Sequence, residues 1–162
     1  MLEINNYEHL PAFIALNESW IKQYFSLEAA DIALANNPQA IIENGGYVFS
    51  ITETKKVVAV CALFKHGDSE FQLARMAVHE DWRRRGLADR LLCAALDKLR
   101  EIGANKVYLL SNTKLAPAIA LYKKHGFVTT YLGPHQEYAR VDIVMEKNLT
   151  SGCQNNTNLN VV

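Results

Sequence analysis

The chain has 162 residues, a mass of 18.2 kDa and a formal net charge of zero, with 17 Lys and Arg against 17 Asp and Glu. This length is typical of one domain with its own core, and neutrality disfavours a general nucleic-acid binder, which carries a basic excess. No apolar run is long enough to span a bilayer, and the N-terminus does not resemble a signal peptide. We therefore expect a cytoplasmic protein that binds neither nucleic acid nor membrane.

The cysteines and histidines do not have the spacing of disulfide or metal sites. Cys61, Cys93 and Cys153 show no C-x-x-C pattern, and Cys61 and Cys93 lie in apolar runs, where a free cysteine packs as a small hydrophobe. The histidines are scattered along the chain, at His9, His66, His79, His125 and His135. The sequence therefore favours structural cysteines and predicts no metal.

The first third of the chain has helical periodicity. Apolar residues recur at helical spacing from Tyr7 to Tyr24, with Pro11 in the first turn. Ser26 is a candidate cap for a second helix that ends at Asn36-Asn37-Pro38, and a short third helix covers Gln39 to Glu43. This part of the chain is therefore predicted to be helical.

The remainder alternates between strands and helices. Three β-rich runs joined by short polar turns predict an antiparallel meander, with strands Tyr47–Thr52, Val57–Phe64 and Phe71–Val78. The later elements are an amphipathic helix, a buried strand, a short helix and two final strands, at Gly86–Ile102, Lys106–Ser111, Pro117–His125, Phe127–Leu132 and Arg140–Met145. This order predicts one α/β (α+β) domain over residues 1–149, with a mixed, mostly antiparallel sheet flanked by helices. Residues 150–162 are rich in Asn and are predicted to form a mobile tail.

A basic turn precedes the amphipathic helix and carries the strongest chemical signal. It reads Arg83-Arg84-Arg85-Gly86-Leu87-Ala88. A helix N-terminus presents unpaired N–H groups and a partial positive charge, so it favours a phosphate. The alternatives are a solvated basic loop and nucleic-acid contact through the arginines, which the neutral net charge disfavours.

This turn resembles motif A of the GNAT acyl-CoA N-acyltransferase superfamily, whose pattern is Gln/Arg-x-x-Gly-x-Gly/Ala. One helix and one strand later, Ala118–Phe127 is similar to the motif B ending A-x-x-L-Y-x-K-x-G-F of the same family. The two motifs occur in the family's order, and the resemblance covers roughly residues 47–147. The chain is therefore identified as a member of this superfamily.

The resemblance implies a V-shaped opening between the strand ending at Val78 and the strand Lys106–Ser111, caused by a bulge near Met76. Acyl-CoA lies in this opening in the family, with its pantetheine paired to backbone groups like an added strand and its pyrophosphate on the N–H groups of the Arg84–Asp89 turn. The implied cofactor-binding residues are Met76, Ala77, Val78, Arg83, Arg84, Arg85, Gly86, Leu87, Ala88 and Asp89.

The resemblance also implies the reaction, which is transfer of acetyl from acetyl-CoA to a primary amine of a small molecule or peptide by direct attack. Tyr122 matches the general acid that protonates the CoA thiolate, although by itself it also fits an aromatic core position. The backbone N–H of Val78 or its neighbour is the expected oxyanion donor.

The base is the first departure from the family pattern. Many relatives carry a carboxylate at the position of Gln72, whose amide does not accept a proton at neutral pH. Alternation places residues 70, 72, 74, 76 and 78 on one strand face, so we expect Glu70 to be the base and Gln72 to contact the acceptor. Glu28, Glu137 or a chain of waters remain alternatives.

A second departure lies before Tyr122. Many relatives have an Asn seven residues earlier that contacts pantetheine; this chain has Leu115 there, and Asn112 is assigned the contact instead. A loop around Gly133-Pro134 either borders the acceptor site or is ordinary loop structure, and it holds Tyr131, His135, Glu137, Tyr138 and Arg140. Tyr138 is assigned to the acceptor site.

The acceptor itself does not follow from the sequence, because the N-terminal helices and the terminal hairpin that form the acceptor wall carry no recognisable code. A catalytically inactive acyl-CoA-binding or sensing module is the alternative function. The oligomeric state does not follow from the sequence either; relatives are often dimers, and a homodimer stays open as an alternative to a monomer.

Overall fold

The computed structural model describes residues 1–150. Cys153 and the predicted tail beyond Thr150 lie outside the described residues. In the described part, one seven-stranded sheet has the order β1-β2-β3-β4-β5-β7-β6, in which β4 and β5 are parallel and the other neighbours antiparallel. The strands are β1 Leu2–Ile4, β2 Tyr47–Glu53, β3 Lys56–His66, β4 Glu70–Val78, β5 Lys106–Ser111, β6 Val128–Leu132 and β7 Ile143–Asn148. The predicted fold class is confirmed.

Helices cover both faces of the sheet. They are α1 Leu10–Tyr24, α2 Ala29–Asn36, α3 Ala40–Glu43, α4 Leu87–Glu101 and α5 Ala116–Lys124, with single 3-10 turns at Tyr7–His9 and Glu80–Trp82. The apolar stripe of α4 packs on one face together with Phe71, Leu109 and Met145. Phe13 of α1 packs on the other face. The sheet is thus the middle of three layers. Over the range that the structure describes, no helix is long and apolar enough to cross a membrane.

Four details differ from the sequence prediction. β1 was not predicted, because three residues are too few to show a period. Glu28, not Ser26, caps α2, in a reciprocal capping box with Asp31. The last strand begins at Ile143 rather than Arg140, and Arg140 lies in the preceding loop, where its guanidinium binds Asp31 of α2. Cys61 is buried as predicted, but Cys93 is exposed.

A bulge in β4 opens the sheet. The register between β3 and β4 shifts between Val60 and Ala62, and Arg75 has a left-handed φ of 58°. Beyond Leu73, β4 has no pairing with β5, which continues along β7 as far as Ser111. The predicted splay between these two strands is confirmed, with its bulge one residue before Met76.

The same bulge corrects the predicted side-chain alternation. Glu70 and Gln72 share a face, as expected, but the extra residue puts Ala77 on that face. Met76 and Val78 pack on the opposite face, with α4. The side-chain alternation of β4 therefore reverses where β4 and β5 separate, which is where a ligand would contact the strand.

Candidate functional site

A cavity of about 680 Å³ lies where β4 and β5 part. On one face of the sheet it is lined by α1, through Asn17 and Trp20. On the other face it is lined by α5, through Pro117 and Tyr122. Residues from the unpaired end of β4 and from β5 form its edges. The cavity therefore extends to both faces of the sheet at the splay.

The free end of β4 presents its backbone to this cavity. The N–H of His79 donates to the carbonyl of Val58 on β3, at 2.8 Å. Because successive backbone groups of a strand point to opposite edges, those of Met76 and Val78 point away from β3, toward the cavity. The carbonyl of Val78 accepts from Arg83 Nε at 3.2 Å on that side. This arrangement fits the predicted pairing of an extended ligand with these two residues.

The turn before α4 carries a run of free N–H groups. Among the described residues, no acceptor binds the backbone N–H of any residue from Arg84 to Asp89. Arg84 and Gly86 both have left-handed φ values, 63° and 76°, which curl the backbone around the helix N-terminus. Successive N–H groups in such a turn form an anion-binding concavity.

The three arginines of the turn have different surroundings. Arg84 lines the cavity and is exposed. Arg83 also lines it, but its Nη2 donates to Gln23 of α1 at 3.0 Å. Arg85 stacks on the Trp82 ring, 4.5 Å from the centroid, and does not line the cavity. Arg84 is therefore the arginine with its charge most available to a phosphate.

The side chain of Asp89 is bound to α5, although only its backbone was predicted to contact cofactor. Its carboxylate accepts from His125 Nε2 at 2.6 Å and from Lys124 Nζ at 3.3 Å. The His125 hydrogen bond is the main cause that lowers the pKa of Asp89. The Sγ of Cys93 lies within 4.8 Å of the Asp89 carboxylate and of the His125 ring nitrogen. The sequence spacing of these three residues did not indicate that they cluster. Lys124 already supplies the carboxylate with a cation, so the structure gives no reason to place a metal here.

Tyr122 is positioned between the core and the cavity. Its ring packs edge-on to Phe127, with centroids 6.0 Å apart. This contact agrees with the alternative interpretation of Tyr122 as an aromatic core residue. Tyr122 also lines the cavity, and no described residue accepts from or donates to its hydroxyl. Burial raises the pKa of Tyr122 to about 12. The phenol is therefore fully protonated at neutral pH and can donate a proton.

Gln72 reaches the cavity and Glu70 does not. Gln72 lines it, with its Oε1 3.5 Å from the hydroxyl of Tyr108. Glu70 lies where β4 and β5 are still paired, and its carboxylate is 3.6 Å from Lys106 Nζ. The shared face predicted for the two residues is present, but the base role of Glu70 is not supported by its position.

The alternative bases also lie outside the cavity wall. Glu28 accepts from Arg140 Nη1 at 3.1 Å and from the N–H of Ala139 at 3.0 Å. Glu137 is exposed, and its N–H donates to His135. No Asp or Glu is found among the cavity-lining residues of the described chain. None of the carboxylates expected as bases therefore lines the cavity.

A buried carboxylate that the sequence analysis did not single out organises the wall beside Gln72. Asp31 of α2 is 3% exposed and accepts from Arg140 Nη1 and Nη2, at 2.6 and 2.7 Å, and from Arg75. Burial alone raises the pKa of Asp31, but hydrogen bonds from Arg140, from the Glu28 backbone and from Arg75 hold it well below its usual range. The available signal was the capping-box spacing of Glu28 and Asp31 in an otherwise apolar helix.

Asn112, assigned from the sequence to pantetheine, and Tyr138, assigned to the acceptor, both line the cavity. Asn112 Nδ2 donates to the carbonyl of Arg140 at 2.8 Å, and its Oδ1 accepts from the N–H of Lys114 at 2.9 Å. Asn112 therefore ties the end of β5 to the loop before β7. The Tyr138 ring lies 5.0 Å from the Arg140 guanidinium carbon. Both residues line the cavity, so the loop before β7 that carries them borders it.

The sequence of this open-sheet domain matches a known protein family. Residues 12–127 match the model of the Acetyltransferase (GNAT) family. This match covers well over half of the chain, and the chain belongs to the GNAT family. No curated protein sequence matches the chain significantly.

Solved structures with this fold cover nearly the whole chain. A GNAT-family acetyltransferase from Staphylococcus aureus MU50 is 18% identical, with TM-score 0.79, covering 92% of this chain and 99% of its own. The yncA protein of Salmonella typhimurium, solved with its cofactor acetyl-CoA, is 16% identical (TM-score 0.74; 92% and 93%). The ribosomal-protein-S18-alanine N-acetyltransferase of Escherichia coli is 24% identical (TM-score 0.72; 96% and 98%). At these identities the likeness is one of fold.

Proposed function

We propose that the protein is an N-acetyltransferase that moves an acetyl group from acetyl-CoA to a primary amine. The observation that carries this proposal is the cavity through the sheet, in which the Tyr122 hydroxyl and the free backbone edge at Val78 share one space. The Salmonella neighbour solved with acetyl-CoA supports the choice of acyl donor.

The chain's own groups suit acetyl-CoA. The N–H groups of Arg84 to Asp89, with the Arg84 side chain, bind the pyrophosphate, and the edge at Met76 and Val78 binds the pantetheine. When bound, acetyl-CoA supplies an acetyl thioester. The dimensions fit, because ligand cavities of ~300–1,000 Å³ accommodate molecules of this kind and this one measures about 680 Å³.

The developing oxyanion and the leaving thiolate each have a group in the chain. The Val78 N–H donates to the oxygen on which negative charge develops. As the N–C bond forms and the C–S bond breaks, the amine loses a proton and the sulfur gains one from Tyr122. Since no lining carboxylate is available, the amine proton leaves through water, and solvent reprotonates Tyr122. Gln72 orients the amine or that water.

The proposal is tested by incubating the purified protein with acetyl-CoA and an amine panel, and measuring released thiol and acetylated amine together. Equal amounts of both products are expected. A binding-only module is the second candidate, because Gln72 replaces a carboxylate. In that case acetyl-CoA still binds, but neither product accumulates with any amine.

The charge of Arg84 can be tested independently of turnover. We expect Arg84→Ala to weaken acetyl-CoA binding by about tenfold, the usual effect of losing one charge-assisted phosphate contact. Ligand binding raises Tm, so the rise in Tm with acetyl-CoA concentration measures the change. Arg100→Ala is the matched control, because Arg100 lies in the last turn of α4 and pairs with Asp97. Equal shifts in the two variants would contradict the phosphate assignment.

A further inference from the structure

The wall of the cavity carries positive charge and no negative charge. Its charged lining residues in the described chain are Arg75, Arg83, Arg84, Lys114 and Arg140. Arg83 and Arg84 belong to the phosphate turn. Arg75 and Arg140 belong to the other side, where both guanidinium groups bind Asp31 of α2. The cations of this second side are not needed by the cofactor.

Arg75 is held in position by one of its nitrogens, and its other guanidinium N–H groups have no partner among the described residues. It occupies the β4 bulge in a left-handed conformation, φ 58°, that a non-glycine residue adopts at a cost, and its Nη1 is anchored on buried Asp31. In the described residues, no acceptor binds its Nε or Nη2, although its side chain is only 11% exposed. A guanidinium that is anchored by one nitrogen and has others free suits an anionic oxygen ligand.

Asn17 supplies a second unfilled hydrogen-bonding group in the same wall. It is 4% exposed, and its Nδ2 donates to the carbonyl of Phe13 at 2.9 Å. Its Oδ1 accepts from no described residue and belongs to a side chain that lines the cavity. An amide oxygen held in this way fits an N–H of the acceptor amine.

The apolar part of this wall lies next to these polar groups. The rings of Trp20, Tyr24 and Phe25 all line the cavity, with Trp20 centred 5.7 Å from Tyr24 and 6.1 Å from Phe25. An acceptor that contacts these rings gains by burying apolar surface. The wall thus combines a cation, an amide oxygen and an aromatic surface.

We infer that the acceptor is an amine that also carries a carboxylate, with the carboxylate bound by Arg75 and the amine by Asn17, and with an apolar group against Trp20. This inference rests on the proposed acetyl transfer and specifies its acceptor. Polyamines and other polycationic amines are disfavoured, because their additional ammonium groups meet no lining carboxylate.

The test compares matched acceptors with and without the carboxylate. Released thiol is measured with phenylalanine and phenylalaninamide, with spermidine, and with two short peptides whose second residue is Asp or Asn. We expect kcat/KM to be about tenfold higher for phenylalanine than for its amide, the effect of one charge-assisted hydrogen bond. The peptide pair distinguishes a free amino acid from an acidic peptide N-terminus as the source of the carboxylate.

Variants of Arg75 test whether this residue causes the preference for an acceptor with a carboxylate. Arg75→Gln is expected to bring the ratio of acid to amide close to one, and Arg75→Lys to restore part of it, while acetyl-CoA binding is unchanged in both. Arg100→Gln is the surface control. Faster turnover of phenylalaninamide or spermidine would overturn the inference and leave acetyl transfer standing. If acetyl-CoA binds but no acceptor of either kind is consumed, the proposed transfer fails and this inference fails with it.

Discussion

Replacing Tyr122 with Phe is expected to lower kcat by about 10²- to 10⁴-fold, the contribution of a well-placed general acid, with little change in acetyl-CoA affinity. The proposed acid role rests on the position of Tyr122, which lines the cavity and has no hydrogen bond from its hydroxyl to any described residue. Burial raises the pKa of Tyr122 to about 12, so the phenol keeps its proton at neutral pH. Phe preserves the ring contact with Phe127, so folding is retained. Single-turnover kinetics at saturating acetyl-CoA measures the change.

Tyr131→Phe is the matched control for this substitution. Tyr131 is 48% exposed on β6, does not line the cavity, and donates to the carbonyl of Pro134 at 2.9 Å. Its loss is expected to leave kcat within about twofold of the wild type, as for an ordinary surface change. A Tyr122→Phe enzyme that is as active as the Tyr131→Phe enzyme would contradict the acid role.

Asp31→Asn is expected to lower the free energy of unfolding by about 3–5 kcal/mol, because removing one partner of a buried ion pair leaves the other charge uncompensated. Here two guanidinium groups, of Arg75 and Arg140, share the Asp31 carboxylate. The control is Asp97→Asn on the surface of α4, where the pair with Arg100 contributes at most about 1 kcal/mol. Urea unfolding of both variants at neutral pH measures the difference.

The same carboxylate predicts how stability depends on acid. The pKa of Asp31 is lower in the folded protein than in the unfolded chain, so its contribution is complete above the ordinary aspartate pKa of about 4 and is lost as the pH falls below that value. Asp31→Asn is therefore expected to flatten the loss of wild-type stability below about pH 4. An acid slope that is equal in both proteins would show that Asp31 is not ionised and paired in the fold.

The sheet could be predicted because its signals are local. Turn residues, apolar periods and the two motifs place most strands and helices within a few residues, and Lys106–Ser111 is placed at its observed bounds. The splay followed from the resemblance rather than from periodicity. A single extra residue at Arg75 puts Met76 and Val78 on the opposite face of the sheet. A pattern of strict alternation does not predict such a bulge.

The acceptor side was less predictable because it is assembled from distant parts of the chain. Asp31, Arg75 and Arg140 come from α2, β4 and the loop before β7. The capping-box spacing of Asp31 is a local signal, but no local pattern indicates that the three side chains meet. Glu70 shows the converse error: strand alternation placed it correctly beside Gln72, but its distance from the splay depends on where the pairing with β5 ends. Local patterns do not contain that information.

Isothermal titration of acetyl-CoA into the wild-type protein tests most directly whether the cavity is an acyl-CoA site. We predict one-to-one binding with Kd in the micromolar range, ~−8 kcal/mol, which weakens as salt increases because phosphates are held by N–H groups and Arg84. Absence of binding by protein that unfolds cooperatively would contradict the acetyl-CoA assignment and leave the family fold without its expected cofactor.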